Sequence, residues 1–350
     1  MEIEAVKSSQ TQSYFNNGKI RKLRWTTSEG VEPNFVTGSW DSDDNEITLW
    51  SIKNTGSCGQ DCITRLSSFK IPSDITDMVL LANYKLAMSA SNGSLLLVEC
   101  SPNSSDLSER LNSEIILIGL SSALAVCCSG SNIVIGYRNG CIKTFNPSTH
   151  QSSVIISNIS AVECLSKSTL GTFVSGHRGQ INVWDERNRS STKPDISFSP
   201  TNSYETVLSI SDHPSQPNLI AFGTENGSVG FSDVRQCKGG LPLLSSLSIS
   251  LGPVWEVGFH PDYPDNFYSV SDDGLLLHWD STPLKLGSLG VTSEPVRPSV
   301  WLMDSLGEDV RITGLVEETL PLNSFDISPA GIIMGGDSHM ISLITSNFYV

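Results

Sequence analysis

The feature that most constrains this chain is a pattern written five times. It reads "SASNGSLLLVE" (89–99), "IGYRNGCIKTFN" (135–146), "SGHRGQINVWD" (175–185), "FGTENGSVGFSD" (222–233) and "SVSDDGLLLHWD" (269–280). Each copy is an apolar run, a polar turn carrying Gly, and a second alternating run. The turn glycines are Gly93, Gly140, Gly179, Gly227 and Gly274. Five residues after each stand Val98, Phe145, Trp184, Ser232 and Trp279, at spacings of 47, 39, 48 and 47. Trp50 lies 48 before Val98, and Ile344 lies 65 after Trp279, which makes seven units. The His-Pro pairs at 213–214 and 260–261 repeat the 47-residue step.

Alternating runs at a period of about 40–50 residues predict small four-stranded sheets that repeat radially. One such sheet cannot bury both faces alone, so neighbours must cover them. The fold class expected is therefore all-β, a seven-bladed β-propeller forming a single domain over 1–350. Asn92-Gly93, Asn139-Gly140, Asn226-Gly227 and Asp273-Gly274 predict two-residue type I′ turns, in which both central residues take positive φ. The large side chains that end the third strands, Trp50, Trp184 and Trp279, are expected to fill the space between blades. The last unit stops at "SNFYV" without a fourth strand, so residues 1–16 are expected to supply it and remove an open edge. Residues 281–310 read as a long inserted loop that explains the 65-residue spacing.

The formal net charge of −15 supplies no phosphate-neutralising surface, so no direct nucleic-acid partner is expected. Lys19, Arg21, Lys22 and Arg24 form a basic cluster, read as the solvated face of a strand. "MEIEAVKSSQ" has neither a basic n-region nor an apolar run, so no secretory signal is expected. No window approaches the length of a membrane span, so no insertion is expected. The eight cysteines lack paired metal spacing and fit reduced thiols.

Chemistry is sparse. Asp272, Asp273 and Asp280 crowd His278, which invites a metal or acid/base reading. Asn139 and Asn226 at equivalent turns carry no carboxylate, so a structural role is favoured, with Asp272 solvated. No nucleophile elbow, zinc helix or phosphate loop occurs, so no catalysis, no metal and no cofactor are expected. In the 281–310 loop, Trp301, Leu302 and Met303 form an apolar island, a candidate partner anchor because Trp is enriched at binding hot spots. The competing reading folds Trp301 onto its own blade.

The repeat resembles the WD40 family over nearly the whole chain. Trp184-Asp185 and Trp279-Asp280 keep the family dipeptide; Val98, Phe145, Ser232 and Ile344 depart from it. The resemblance implies that Asp273 is the turn aspartate that ties a blade together. "NGKIRKLRW" (17–25), "FVTGSWDSDDNEITLWSI" (35–52), "GPVWEVGFHPDYPDNFYSVSDDGLLLHWDSTP" (252–283) and "LPLNSFDISPAGIIMGGDSHMISLI" (320–344) look like the WD40 nucleoporins. The likeness weakens over 55–130 and 186–205. It implies a non-catalytic scaffold subunit of the Y-shaped complex in the outer rings of the nuclear pore. It also implies a helical-solenoid nucleoporin as partner in a hetero-oligomeric assembly, residence at the nuclear envelope, and association with kinetochores in mitosis. The alternative comes from Trp184-Asp185-Glu186-Arg187, which resembles the motif by which WD40 substrate receptors dock on cullin-type ubiquitin ligases.

Overall fold

The computed structural model describes residues 11–26, 33–55, 60–82, 84–101, 104, 110–117, 119–156, 160–168, 172–185, 193–200, 204–235, 244–282, 299–302, 306 and 310–345. Their strands form seven four-stranded sheets, making a seven-bladed β-propeller. Thr11–Phe15 (β1) belongs to the last blade. The first blade holds Lys19–Trp25 (β2), Asn34–Trp40 (β3), Asn45–Thr55 (β4) and Gln60–Ile71 (β5). The second holds Ile75–Ala82 (β6), Lys85–Ala90 (β7), Ser94–Cys100 (β8) and Leu111–Leu117 (β9). The third holds Ala123–Ser129 (β10), Asn132–Tyr137 (β11), Ile142–Asn146 (β12) and Gln151–Ile156 (β13). The fourth holds Cys164–Lys167 (β14), Thr172–His177 (β15), Gln180–Asp185 (β16) and Ile196–Phe198 (β17). The fifth holds Val207–Asp212 (β18), Leu219–Thr224 (β19), Ser228–Asp233 (β20) and Leu244–Ser248 (β21). The sixth holds Val254–Phe259 (β22), Asn266–Ser271 (β23), Leu275–Asp280 (β24) and Arg311–Glu317 (β25). The last holds Leu322–Ser328 (β26), Gly331–Gly336 (β27) and Met340–Ile344 (β28). Its fourth strand is β1, antiparallel to β28 from Thr11 opposite Ile344 to Phe15 opposite Met340. The N-terminal strand thus completes the last blade; residues 1–10 lie outside the described residues.

The repeat read from spacing is a repeat of register. Trp50, Val98, Phe145, Trp184, Ser232, Trp279 and Ile344 each oppose an apolar residue of the second strand. Those partners are Phe35, Leu86, Ile133, Phe173, Ile220, Phe267 and Ile332. A one-residue slip would turn each side chain to the other face, so the shared register fixes what each blade buries. First strands share a second device. The bulges in β2, β6, β10, β18 and β22 leave Arg21, Thr76, Leu124, Leu208 and Trp255 out of the ladder. A bulge re-aims the side chain it carries.

The turns differ from the type I′ expectation. Gly93, Gly140, Gly227 and Gly274 have φ between 77° and 88°. Among the described non-glycine residues, positive φ occurs only at Asp41, Tyr84, His150 and His339, so Asn92, Asn139, Asn226 and Asp273 do not share it. Gly93 N–H donates to Ala90 O at 2.9 Å and Gly274 N–H to Ser271 O at 3.1 Å. These are three-residue loops closed by a left-handed glycine, the other common hairpin form. Asparagine serves there through its side chain: Asn92 Oδ1 accepts from Ser94 N–H at 3.0 Å, and Asn139 Oδ1 from Cys141 N–H at 3.1 Å.

Two compact units are distinguished. One contains Ser166–Leu322. Its core joins Phe231, Phe259, Phe267, Trp279 and Trp301. The other contains Gln10–Leu165 with Asn323–Phe348. There, Ile20, Leu23, Trp25, Phe35 and Trp50 pack with Ile333, Ile341 and Leu343.

Candidate functional site

The residues singled out by sequence sit in three structural settings. The first is the end of the third strands. Trp50 Nε1 donates to Thr37 Oγ1 at 2.9 Å, Trp184 Nε1 to Ser175 Oγ at 2.8 Å, and Trp279 Nε1 to Ser269 Oγ at 3.1 Å. All three indoles are buried, and each finds its acceptor on the second strand of its own blade. Buried Trp needs such an acceptor, which a small hydroxyl residue supplies without adding bulk. His177 Nε2 also bonds Ser175 Oγ at 2.8 Å.

The second is the 269–280 hairpin. Asp273 Oδ2 accepts from Ser250 Oγ at 2.8 Å, and its other oxygen accepts from Ser271 Oγ. Ser250 precedes the sixth blade, so Asp273 ties its own turn to the segment entering that blade. Asp272 is not simply solvated: Trp255 Nε1 donates to its Oδ1 at 3.2 Å. His278 is buried, stacks on Tyr268 with centroids 4.9 Å apart, and shares a 2.8 Å hydrogen bond with Asn266 Oδ1. Burial pushes its pKa down to about 4, against a smaller upward pull from Asp280. Asp280 Oδ1 caps the chain by accepting from Thr282 N–H at 2.9 Å. The carboxylates therefore point at separate local donors. Among the described residues, no group of three His, Cys, Asp or Glu could hold a metal ion.

The third setting is the inserted loop, where the partner-anchor expectation is corrected. Trp301 is 1% exposed, within a 3-10 turn over Val300–Leu302. Its ring stacks on Phe231 at 4.9 Å and meets Phe259 and Phe267 at 5.7 and 5.8 Å. Its carbonyl accepts from Ser245 Oγ at 2.5 Å. Leu302 is buried beside it. An indole enclosed by three phenyl rings offers no area to a partner. Met303 and most of 281–310 lie outside the described residues.

Other titratable groups serve structure. His213 Nδ1 accepts from the backbone N–H of Ser215 and Gln216, and His260 Nδ1 does the same for Asp262 and Tyr263. The repeated His-Pro pairs are thus loop caps. Burial pushes the Cys100 thiol up to about 12, which keeps it protonated and unreactive. The basic cluster is met locally. Lys19 Nζ lies 2.6 Å from Asp41 and Lys22 Nζ 3.9 Å from Asp77. Lys19 and Arg21 also approach the Trp40 ring, at 5.6 and 5.3 Å from its centroid. Of Trp184-Asp185-Glu186-Arg187, Trp184 is core, while Glu186 and Arg187 lie outside the described residues.

The sequence reading missed the links between blades. Tyr204, Leu251 and Leu320 are exposed, each just before the first strand of a blade. Their only sequence signal is position: an apolar residue in a polar link two or three residues before a strand.

No protein-family model matches the chain. Among curated proteins it is 27% identical to "Nucleoporin Nup43" of Mus musculus and 26% identical to that of Homo sapiens. Both matches cover 93% of this chain and 96% of the relative. It is also 23% identical to "Nuclear pore complex protein nup43" of Dictyostelium discoideum, over 50% of this chain and 38% of the relative.

Proposed function

We propose that this chain, a WD40-repeat nucleoporin similar to Nup43, is a structural propeller subunit of the nuclear pore. Its place is in the Y-shaped scaffold of the outer rings. There it would bind a helical-solenoid nucleoporin and support nucleocytoplasmic transport without catalysing a reaction. The observation that carries the reading is the extent of the resemblance, 93% of this chain against 96% of each mammalian relative. A match of that span reaches well beyond a single repeat, which supports a whole-chain likeness.

The chemistry of the described residues agrees. The indoles of Trp50, Trp184 and Trp279, the His278 imidazole and the carboxylates of Asp272 and Asp273 all make internal hydrogen bonds, as expected of side chains that hold blades together. The surface is acidic overall, which favours solubility and protein partners over nucleic acid. The kinetochore association receives no support from the relatives' names.

Affinity purification of the tagged full chain from its own cells tests the assignment. Recovery of helical-solenoid nucleoporins is expected. Recovery of a cullin with its adaptor, without nucleoporins, would overturn it in favour of the Trp184–Arg187 docking reading.

A further inference from the structure

In a four-stranded antiparallel blade, the turn between second and third strands lies at the same end as the link entering the next first strand. In the Ser166–Leu322 unit, three successive links at this end each carry an exposed apolar side chain. Tyr204 is 84% exposed, Leu251 is fully exposed and Leu320 is 46% exposed. Each belongs to a link that lies against a turn glycine. A Cβ on Gly179 would meet the Tyr204 ring at 2.8 Å; one on Gly227 would meet Ser250 O at 2.0 Å and Gly252 O at 3.0 Å, either side of Leu251. One on Gly274 would meet Leu320 O at 2.9 Å. Backbone hydrogen bonds hold the links there: Gly179 N–H donates to Glu205 O at 2.7 Å, Ser250 N–H to Gly227 O at 3.2 Å and Glu318 N–H to Gly274 O at 2.9 Å, so the apolar side chains stand on a fixed base.

The same links and turns hold Glu205, Glu225, Asp272, Asp273 and Glu318, against Arg178 alone of opposite sign. Glu225 Oε1 is fixed by Thr206 N–H at 2.9 Å and Asp272 by Trp255. Trp255, half-buried at the β22 bulge, adds an aromatic edge beside Leu251's link. Exposed apolar groups rimmed by polar ones mark interaction sites, and the sign of the rim selects the partner.

We propose that Tyr204, Leu251 and Leu320 form a docking ridge for a cationic polypeptide segment. That segment would seat apolar side chains on the ridge and present Lys or Arg to Glu225, Asp272 and Glu318. The proposal stands on this unit's surface chemistry and does not depend on the nuclear pore assignment.

The test is calorimetric titration of the full chain with an acetylated, amidated peptide of about twelve residues mixing Leu and Lys. Two companions replace Lys by Glu, or Leu by Ser. The Leu/Lys peptide is expected to bind. Leu251→Ser or Glu318→Lys should weaken it at least tenfold with an unchanged melting temperature. Tyr263→Ser, at the opposite end of the blade, should leave binding unchanged. The Leu/Glu peptide should not bind. Absence of Leu/Lys binding, or equal binding by Leu251→Ser, would overturn the proposal. So would equal binding of the Lys/Ser peptide, which signals plain attraction to an acidic chain. Sedimentation showing a dimer that Leu251→Ser disperses would make a second copy the occupant and equally overturn it.

Discussion

Trp184 Nε1 and Ser175 Oγ are 2.8 Å apart, joining adjacent strands inside the fourth blade. The pair recurs as Trp279 with Ser269 and Trp50 with Thr37. Ser175→Ala would leave a buried indole N–H without its acceptor and remove one partner of His177, costing about 1–3 kcal/mol. Urea denaturation measures this. The Ser175→Ala/Trp184→Phe double variant should lose less than the sum of the two single changes, because no orphaned donor remains in it.

Trp301→Ala should destabilise the fold by about 3–5 kcal/mol, the range for truncating a large enclosed aromatic. The change would appear as a lower urea midpoint at constant slope. A loss under about 0.5 kcal/mol would mean that the ring stands at the surface, contrary to its 1% exposure.

That residue shows where sequence reading reaches its limit. The blade count and the equivalence of Trp50, Trp184 and Trp279 were legible because register imposes a fixed interval on chemically similar residues. Trp301 was not, because a loop has no period: whether its ring turns inward depends on Phe231, Phe259 and Phe267, which are 34 to 70 residues away in sequence. The turn form was misread for a related reason. Asn-Gly suits type I′ φ angles and also suits an asparagine acceptor beside a left-handed glycine, and the dipeptide alone does not separate them. Tyr204 and Leu251 escaped notice because single exposed apolar residues are ordinary; their common position shows only when the links are aligned in space.

Gly274 has φ +80°, and an added Cβ would lie 2.1 Å from Glu318 O. Gly274→Ala should therefore cost about 1–3 kcal/mol from backbone strain and displacement of the link. Gly18→Ala is the control. Its Cβ would meet only Ser39, at 3.4 Å, so the change should stay within about 0.5 kcal/mol. Thermal melting of the two variants distinguishes them.

His278 makes stability depend on pH. Its folded pKa of about 4 lies below the ordinary 6.5, because the charged form is penalised by burial. The unfolded chain then takes up the proton first as pH falls. Its contribution is complete above pH 6.5 and is lost progressively down to about pH 4, amounting to roughly 3 kcal/mol. Urea midpoints of His278→Gln should fall less steeply than wild type across that window. Equal slopes would place the acid sensitivity on other groups.

The most direct test of the central claim is the cellular position of the full chain, fluorescently tagged and expressed at its native level. A nuclear pore subunit should form a continuous punctate rim at the nuclear envelope in interphase, coincident with a pore marker. Diffuse cytoplasmic or nucleoplasmic signal from a tagged chain shown to be folded would contradict the assignment.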